Sequence, residues 1–230
     1  MQRIPEPELM LDEEQARAYA EADFSEPHGE FIRLLLERLG QLPETGAALD
    51  LGCGPGDISF RFAAARPGWR VDALDGSPAM LALGRADVRC QTNEGRVLFH
   101  EALLPLDTTS RAHLHAPYDL VFSNSLLHHL PDPAILWDSV GLGGHPHTRV
   151  FVMDLMRPSD EGMARDMVDQ YASGEPEILR RDFYHSLRAA YRLGEVREQL
   201  ASAGLAHLRD AAVSDRHFIV WGSVGNDTPS

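Results

Sequence analysis

Short apolar runs alternate with amphipathic stretches along most of this chain. Ala47 to Leu51, Trp69 to Leu74, Arg96 to His100, Tyr118 to Asn124 and Arg149 to Asp154 are compact apolar runs, as expected of strands covered on both faces. Ser25 opens a helix whose stripe Phe31, Leu34, Leu35 and Leu39 ends at Gly40. Ile58 to Ala65 has helical spacing and stops before Arg66-Pro67-Gly68, while Ser77-Pro78 supplies an N-cap and a first helical turn. Ala134 to Val140 and Val196 to Ala203 read as further helices, the second stopped by Gly204. Asp87 to Gly95 and Ser110 to Pro117 read as loops, and Leu205 to Val213 and His217 to Val224 as two strands joined by Ser214-Asp215-Arg216.

Strands alternating with helices predict an α/β fold: a doubly wound, seven-stranded, mostly parallel sheet with an antiparallel last strand. Residues 30–224 form the expected domain, and residues 225–230 a polar tail. Only one crossover helix is needed after the fifth strand, so residues 155–191 read as an inserted lid. Residues 1–29, with helical propensity from Asp12 to Ala22, read as an N-terminal cap.

Composition narrows the partners. A chain of 230 residues with 43% hydrophobic content supports one sizeable core. No apolar run is long enough to span a membrane, and the first residues lack a secretory core, so a cytoplasmic location is expected. The net charge of −14, with only 21 basic side chains, argues against a general nucleic-acid binder; lysine is absent, a feature of composition without a functional reading. The oligomeric state is left open, a dimer being allowed. Cys53 and Cys90 have no paired spacing and read as thiols.

The chemistry centres on Ala47-Ala48-Leu49-Asp50-Leu51-Gly52-Cys53-Gly54-Pro55-Gly56-Asp57, where a strand meets a helix through three close glycines. Such a loop admits a ligand against bare backbone, and the helix start favours an anionic group. Counting from Gly52 and Gly54, the third glycine of a dinucleotide fingerprint is replaced by Asp57, so a nicotinamide cofactor fits poorly. Acid-x-Gly-x-Gly-x-Gly from Asp50 to Gly56, the strand-end Asp75 with Gly76-Ser77-Pro78-Ala79-Met80, and Ser123-Asn124-Ser125-Leu126-Leu127-His128-His129 together resemble the class I S-adenosylmethionine (SAM) methyltransferases of small molecules.

The resemblance implies a cofactor site of Asp50, Gly52, Cys53, Gly54, Gly56, Asp75, Gly76, Met80, Glu101, Ala102, Ser123 and Asn124. Asp50 would meet the ammonium, Asp75 the ribose hydroxyls, Met80 the adenine ring, and Glu101 with Ala102 the adenine amino group. It implies transfer of a methyl group to an oxygen, nitrogen or sulfur nucleophile, with S-adenosylhomocysteine (SAH) leaving. A dedicated base is optional; His128, then His185 or Tyr19, are the candidates. Phe24, His28, Asp154, Arg157, Tyr171, Arg180, Arg181 and Tyr184 are the candidate substrate residues, the arginines suiting a carboxylate or phosphate. Pairing of Arg180 and Arg181 with nearby acids is the competing reading. His113 and His115 could share a metal, but a solvated loop is preferred and no metal is expected. Transfer of another group from a modified SAM, or a non-catalytic SAM-binding partner protein, would keep the same motifs.

Overall fold

The computed structural model describes residues 1–6, 13–93 and 95–225. Among them, seven strands form one sheet. β1 (Gly46–Leu51) pairs in parallel with β2 (Trp69–Asp75) and β4 (Leu120–Asn124); β3 (Val97–Glu101) extends the sheet beyond β2, and β5 (Arg149–Leu155) beyond β4. β6 (Arg209–Ala212) and β7 (His217–Ser223) close it, with β7 antiparallel to both β5 and β6. The order β3-β2-β1-β4-β5-β7-β6 reverses direction of travel at β1/β4, where the carboxyl ends of the strands open a crevice. The expected sheet, with its antiparallel last strand, is present.

Ten helices flank or cap the sheet among the described residues: α1 (Glu13–Glu21), α2 (Ser25–Leu39), α3 (Asp57–Ala65), α4 (Pro78–Ala86), α5 (Val88–Thr92), α6 (Thr108–Ala112), α7 (Ala134–Val140), α8 (Glu161–Tyr171), α9 (Glu177–Ala189) and α10 (Leu193–Ser202). The stripe of α2 is buried because it meets one sheet face: Phe31 packs edge-on to Phe151 at 5.1 Å, and Phe62 of α3 lies 5.4 Å from Phe122. Leu49, Val121, Val152 and Phe218 face the other way and meet Trp137 of α7 and Val196 of α10. Each such side chain contributes roughly 1.5–3 kcal/mol by leaving water.

Three expectations change. Asp87 to Gly95 contains α5, opened where the Asp87 carboxylate accepts from the Arg89 amide at 2.7 Å, and the next loop overlaps α6, opened by Asp107 accepting from the Ser110 amide at 2.7 Å. Each is five residues long, too short for apolar periodicity to register. The sixth strand is shorter than expected, because Leu205 and Leu208 are buried while sealing the end of α10, where the Leu205 amide donates to the Leu200 carbonyl at 2.7 Å.

Residues 155–191 contribute α8 and α9, which share a small core of Leu155, Ala164, Met167, Val168 and Leu187. α1 packs on α4 and α9, with Gln15 Nε2 donating to Asp182 Oδ2 at 2.7 Å. No helix among the described residues is long and apolar enough to cross a membrane.

Candidate cofactor and catalytic site

The glycine loop leaves β1 by a tight turn in which the Gly52 and Cys53 amides both donate to the Leu74 carbonyl, at 2.8 and 2.9 Å. Gly56 has φ 83°, and a β-carbon there would stand 2.6 Å from the Phe99 ring. Alanine at Gly56 is therefore expected to cost about 1–3 kcal/mol through backbone strain and overpacking. A urea midpoint unchanged from the parent would contradict that packing argument. By contrast, a β-carbon at Gly54 would meet nothing within 4 Å, so this part of the loop borders open space.

Asp75 edges that space from the end of β2. Its Oδ2 accepts from the Gly54 amide at 2.7 Å and its Oδ1 from the Ser77 amide at 2.8 Å. Burial raises its pKa, against these amides. Asp50 is deeper still: burial pushes it up to about 7, and the one hydroxyl on it, Ser59 Oγ at 2.6 Å, offsets this only in part. A ligand ammonium would restore its full charge. Met80 is buried on α4, and Gly76 lies against Leu103, where a β-carbon would stand 2.6 Å away. Glu101 is exposed, and the Ala102 amide continues the sheet onto the Asp75 carbonyl at 3.0 Å. Burial holds the Cys53 thiol well above its usual range, so it stays protonated. The Ser123 hydroxyl donates to the Leu51 carbonyl at 2.7 Å, locking β4 to β1, and half-buried Asn124 ends the strand.

Over the loop runs an aromatic chain. Tyr19 lies 4.7 Å from Phe24, Phe24 stacks on His28 at 5.3 Å, and His28 Nδ1 meets Asp57 Oδ2 at 2.7 Å. Asp57 also takes Arg61 Nε at 2.6 Å and Arg89. Burial would raise Asp57, but His28, Arg89 and Arg61 together hold it well below the usual carboxylate range. Tyr19 is pushed up to about 12, by burial first and then by the Asp57 and Asp75 charges. Its phenol is thus a donor at neutral pH, not a base.

Beyond β4, a 3-10 turn (Leu127–His129) carries His128, which is 2% exposed. His128 Nδ1 meets Asp154 Oδ1 at 2.6 Å, and the same carboxylate accepts the Leu127 and Leu155 amides at 2.7 Å each. Burial alone would lower the His128 pKa, but Asp154 outweighs it and the net shift is upward; Asp154 moves down because His128 outweighs burial. Asp154 was expected to bind substrate. Its oxygens are instead committed to holding the imidazole.

The chain's first residues reach this turn, a feature that no periodicity announces. Arg3 donates to the Ala189, His128 and Leu130 carbonyls at 2.6, 3.1 and 3.2 Å, and Glu6 meets His129 Nδ1 at 3.2 Å and Ser186 Oγ at 3.2 Å. An atom each of Glu6, His128 and His129 lie within 4.8 Å of one another. His129 falls below its usual pKa through burial and the neighbouring His128.

The expected substrate arginines are already paired with acids. Arg157 is buried and gives its guanidinium to the Ala190 carbonyl at 2.8 Å and Glu195 at 2.6 Å; Arg180 pairs with Asp169 at 2.7 Å and Arg181 with Asp182 at 3.2 Å. The physical reason is numerical: 35 acids surround 21 arginines, so a guanidinium finds a carboxylate nearby. Tyr171 donates to Asp215 at 2.6 Å beneath the Arg216 guanidinium, and Tyr184 lies under Arg188. His185 neighbours Tyr184 at 6.2 Å, whereas the links from α9 to the first residues run through Ser186 and Ala189.

This sheet, glycine turn and strand-end acid are those of the class I SAM-dependent methyltransferases, which the chain resembles in fold and in motif. The family described as "Methyltransferase domain" matches residues 49–141. A trans-aconitate 2-methyltransferase of Streptomyces avermitilis is 38% identical over 98 residues, covering 42% of this chain and 35% of that one. The chain thus aligns with about a third of that relative's length. A ubiquinone biosynthesis O-methyltransferase of Xylella fastidiosa is 29% identical over 191 residues, 79% of this chain and 68% of that protein. The solved SAM-dependent methyltransferase of Methanococcus maripaludis superimposes with a TM-score of 0.69 over 99% of this chain and 100% of its own, at 14% identity, a likeness of fold alone. SAM is the family's cofactor, and the open space at Gly54, the bare loop and the two acids fit it.

Proposed function

We propose that the protein transfers the methyl group of SAM to a hydroxyl oxygen of a small organic molecule. The observation that carries this reading is the buried His128–Asp154 pair at the carboxyl end of β4, the edge on which the glycine loop also opens. Gly54 and the loop amides would hold the amino-acid end of SAM, with Asp50 on its ammonium. Asp75 would hold the ribose diol with the carboxylate lone pairs that the Gly54 and Ser77 amides leave free. Met80 would flank the adenine, and Glu101 with the Ala102 carbonyl would meet its amino group. Phe24 and Tyr19 would close the space above.

The substrate hydroxyl gives its proton to the neutral imidazole of His128 as its oxygen bonds to the methyl carbon. Bound SAM would supply the electrophilic methyl and leave as SAH, and Asp154 would stabilise the imidazolium that remains on His128. Because the methyl is already electrophilic, alignment and exclusion of water supply much of the rate. An oxygen acceptor agrees with the printed name of the Xylella fastidiosa relative, and a carboxylated one with that of the Streptomyces avermitilis relative. Arg3 and His129 beside the pair are the groups placed to attract such a carboxylate once Glu6 moves aside.

The test is incubation of the purified protein with methyl-labelled SAM and a panel of hydroxylated and carboxylated metabolites, read by mass spectrometry. Label appearing on a hydroxyl oxygen with stoichiometric SAH is the expected result. Label confined to nitrogen or sulfur acceptors, or SAM bound without turnover across the panel, would overturn the reading.

A further inference from the structure

A second group of potential ligands lies away from the crevice, lower on the sheet. Asp72, Leu74 and His100 face the same way by the two-residue alternation of β2 and β3, on the side shared with Leu49 and Tyr118. Asp72 is 2% exposed, an unusual depth for a carboxylate with no cationic arginine on it. Its Oδ1 meets His100 Nε2 at 2.8 Å and His115 Nδ1 at 3.0 Å. Its Oδ2 accepts from the Tyr118 hydroxyl and from the His115 amide, the latter at 3.0 Å. One oxygen is therefore fixed from behind while the other is presented to two imidazole nitrogens.

We propose that Asp72, His100 and His115 form a binding site for Zn2+ or a similar divalent transition metal. The three donor atoms lie within 4.8 Å of one another. In a tetrahedral zinc site, with ligand bonds of about 2.0–2.1 Å, donors stand about 3.3 Å apart, so Asp72 Oδ1 needs to part from each imidazole nitrogen, now at 2.8 and 3.0 Å, by only a few tenths of an ångström. Two imidazoles and one carboxylate suit zinc rather than calcium or magnesium, which favour all-oxygen sets. Tyr118 and the His115 amide act as the outer partners that orient the carboxylate. The His115 side chain is 47% exposed, which supplies an entry path and room for water at the fourth position. Bound metal would fasten the segment from Ala102 to His115 onto β2 and β3. Within that segment Leu103 packs on Gly76 beside the proposed ribose site. His113, the other sequence candidate, takes no part.

The full chain, stripped with chelator, is titrated with Zn2+ against a chromophoric competitor and separately with Co2+, whose visible bands report four-coordination. One equivalent per chain with Kd below about 1 µM is expected, weakened about 100-fold in His100→Ala and His115→Ala and unchanged in His113→Ala. Saturating Zn2+ should raise Tm by about 5 °C in the parent and not in His115→Ala. His115 lies on an exposed loop, so that variant keeps the fold, and SAH affinity measured on the same sample verifies it. No binding at tens of micromolar Zn2+ would overturn the proposal. So would affinity retained in His115→Ala, or affinity lost in His129→Ala, which would place the ion at the Glu6–His128–His129 group instead.

Discussion

Asp75→Ala is expected to weaken SAH and SAM binding about 100- to 1,000-fold, measured by titration calorimetry. A carboxylate that accepts both ribose hydroxyls makes two charge-assisted hydrogen bonds, each contributing about 1.5–3 kcal/mol, and a loss of 3–4 kcal/mol corresponds to this range. The same carboxylate positions the loop, through the Gly54 and Ser77 amides, so its removal also loosens the bare backbone that the amino-acid end of SAM needs. Asp75→Asn separates the two contributions: it keeps one acceptor and removes the charge, so an intermediate loss is expected. Affinity within threefold of the parent in a folded Asp75→Ala protein would remove Asp75 from the cofactor site.

His128→Ala is expected to lower kcat about 100- to 10,000-fold, the span of general-base catalysis, with SAH affinity held within threefold. The pH profile carries a more specific expectation. Asp154 holds the folded His128 pKa above its ordinary value, so turnover should rise with pH through a midpoint above about 6.5. Asp154→Asn should move that midpoint toward acid, which a purely structural histidine would not do. Stability runs in the opposite sense. The folded His128 pKa exceeds the unfolded one, so its stabilising share is complete below about pH 6.5 and disappears as pH climbs through the folded value. Asp154 is depressed below about 3.9, so its share is present above that pH and is lost as pH falls through the folded value. The pair therefore stabilises the fold most between about pH 4 and 6.5, while turnover grows above that window. A kcat flat from pH 5 to 8 would contradict the base assignment.

The parallel strands were legible because each is a short apolar run bounded by polar or glycine-rich residues, a pattern that burial on both faces demands of β1, β2, β4 and β5, while β3 lies at the sheet edge and is only partly buried. The glycine loop and Asp75 were legible because their chemistry is local, compressed into Asp50 to Met80. What lay hidden depends on partners distant in the chain. Nothing in the neighbourhood of Asp154 indicates that it would turn onto His128, 26 residues earlier. Arg157, Arg180 and Arg181 carry the right charge for an acidic substrate, yet charge alone does not reveal that Glu195, Asp169 and Asp182 already neutralise them. His115 read as solvent-facing until the fold brought Asp72 and His100 beneath it. Helices α5 and α6 escaped because each owes its start to one aspartate cap rather than to an apolar face.

The first residues and α9 are stitched to each other: Ile4 to Arg188, Arg3 to Ala189, Glu6 to Ser186, and, from α1, Gln15 to Asp182. Each link contributes about 1 kcal/mol, small enough to break and re-form alone without exposing the crevice. Were a molecule to reach His128 along this seam, the links would have to part as a set, a cooperative threshold rather than any one contact. Ligand exchange would then slow together with the unzipping of two segments about 180 residues apart in the chain, and a substitution in α9 far from the reacting atoms would register as a change in how fast product departs.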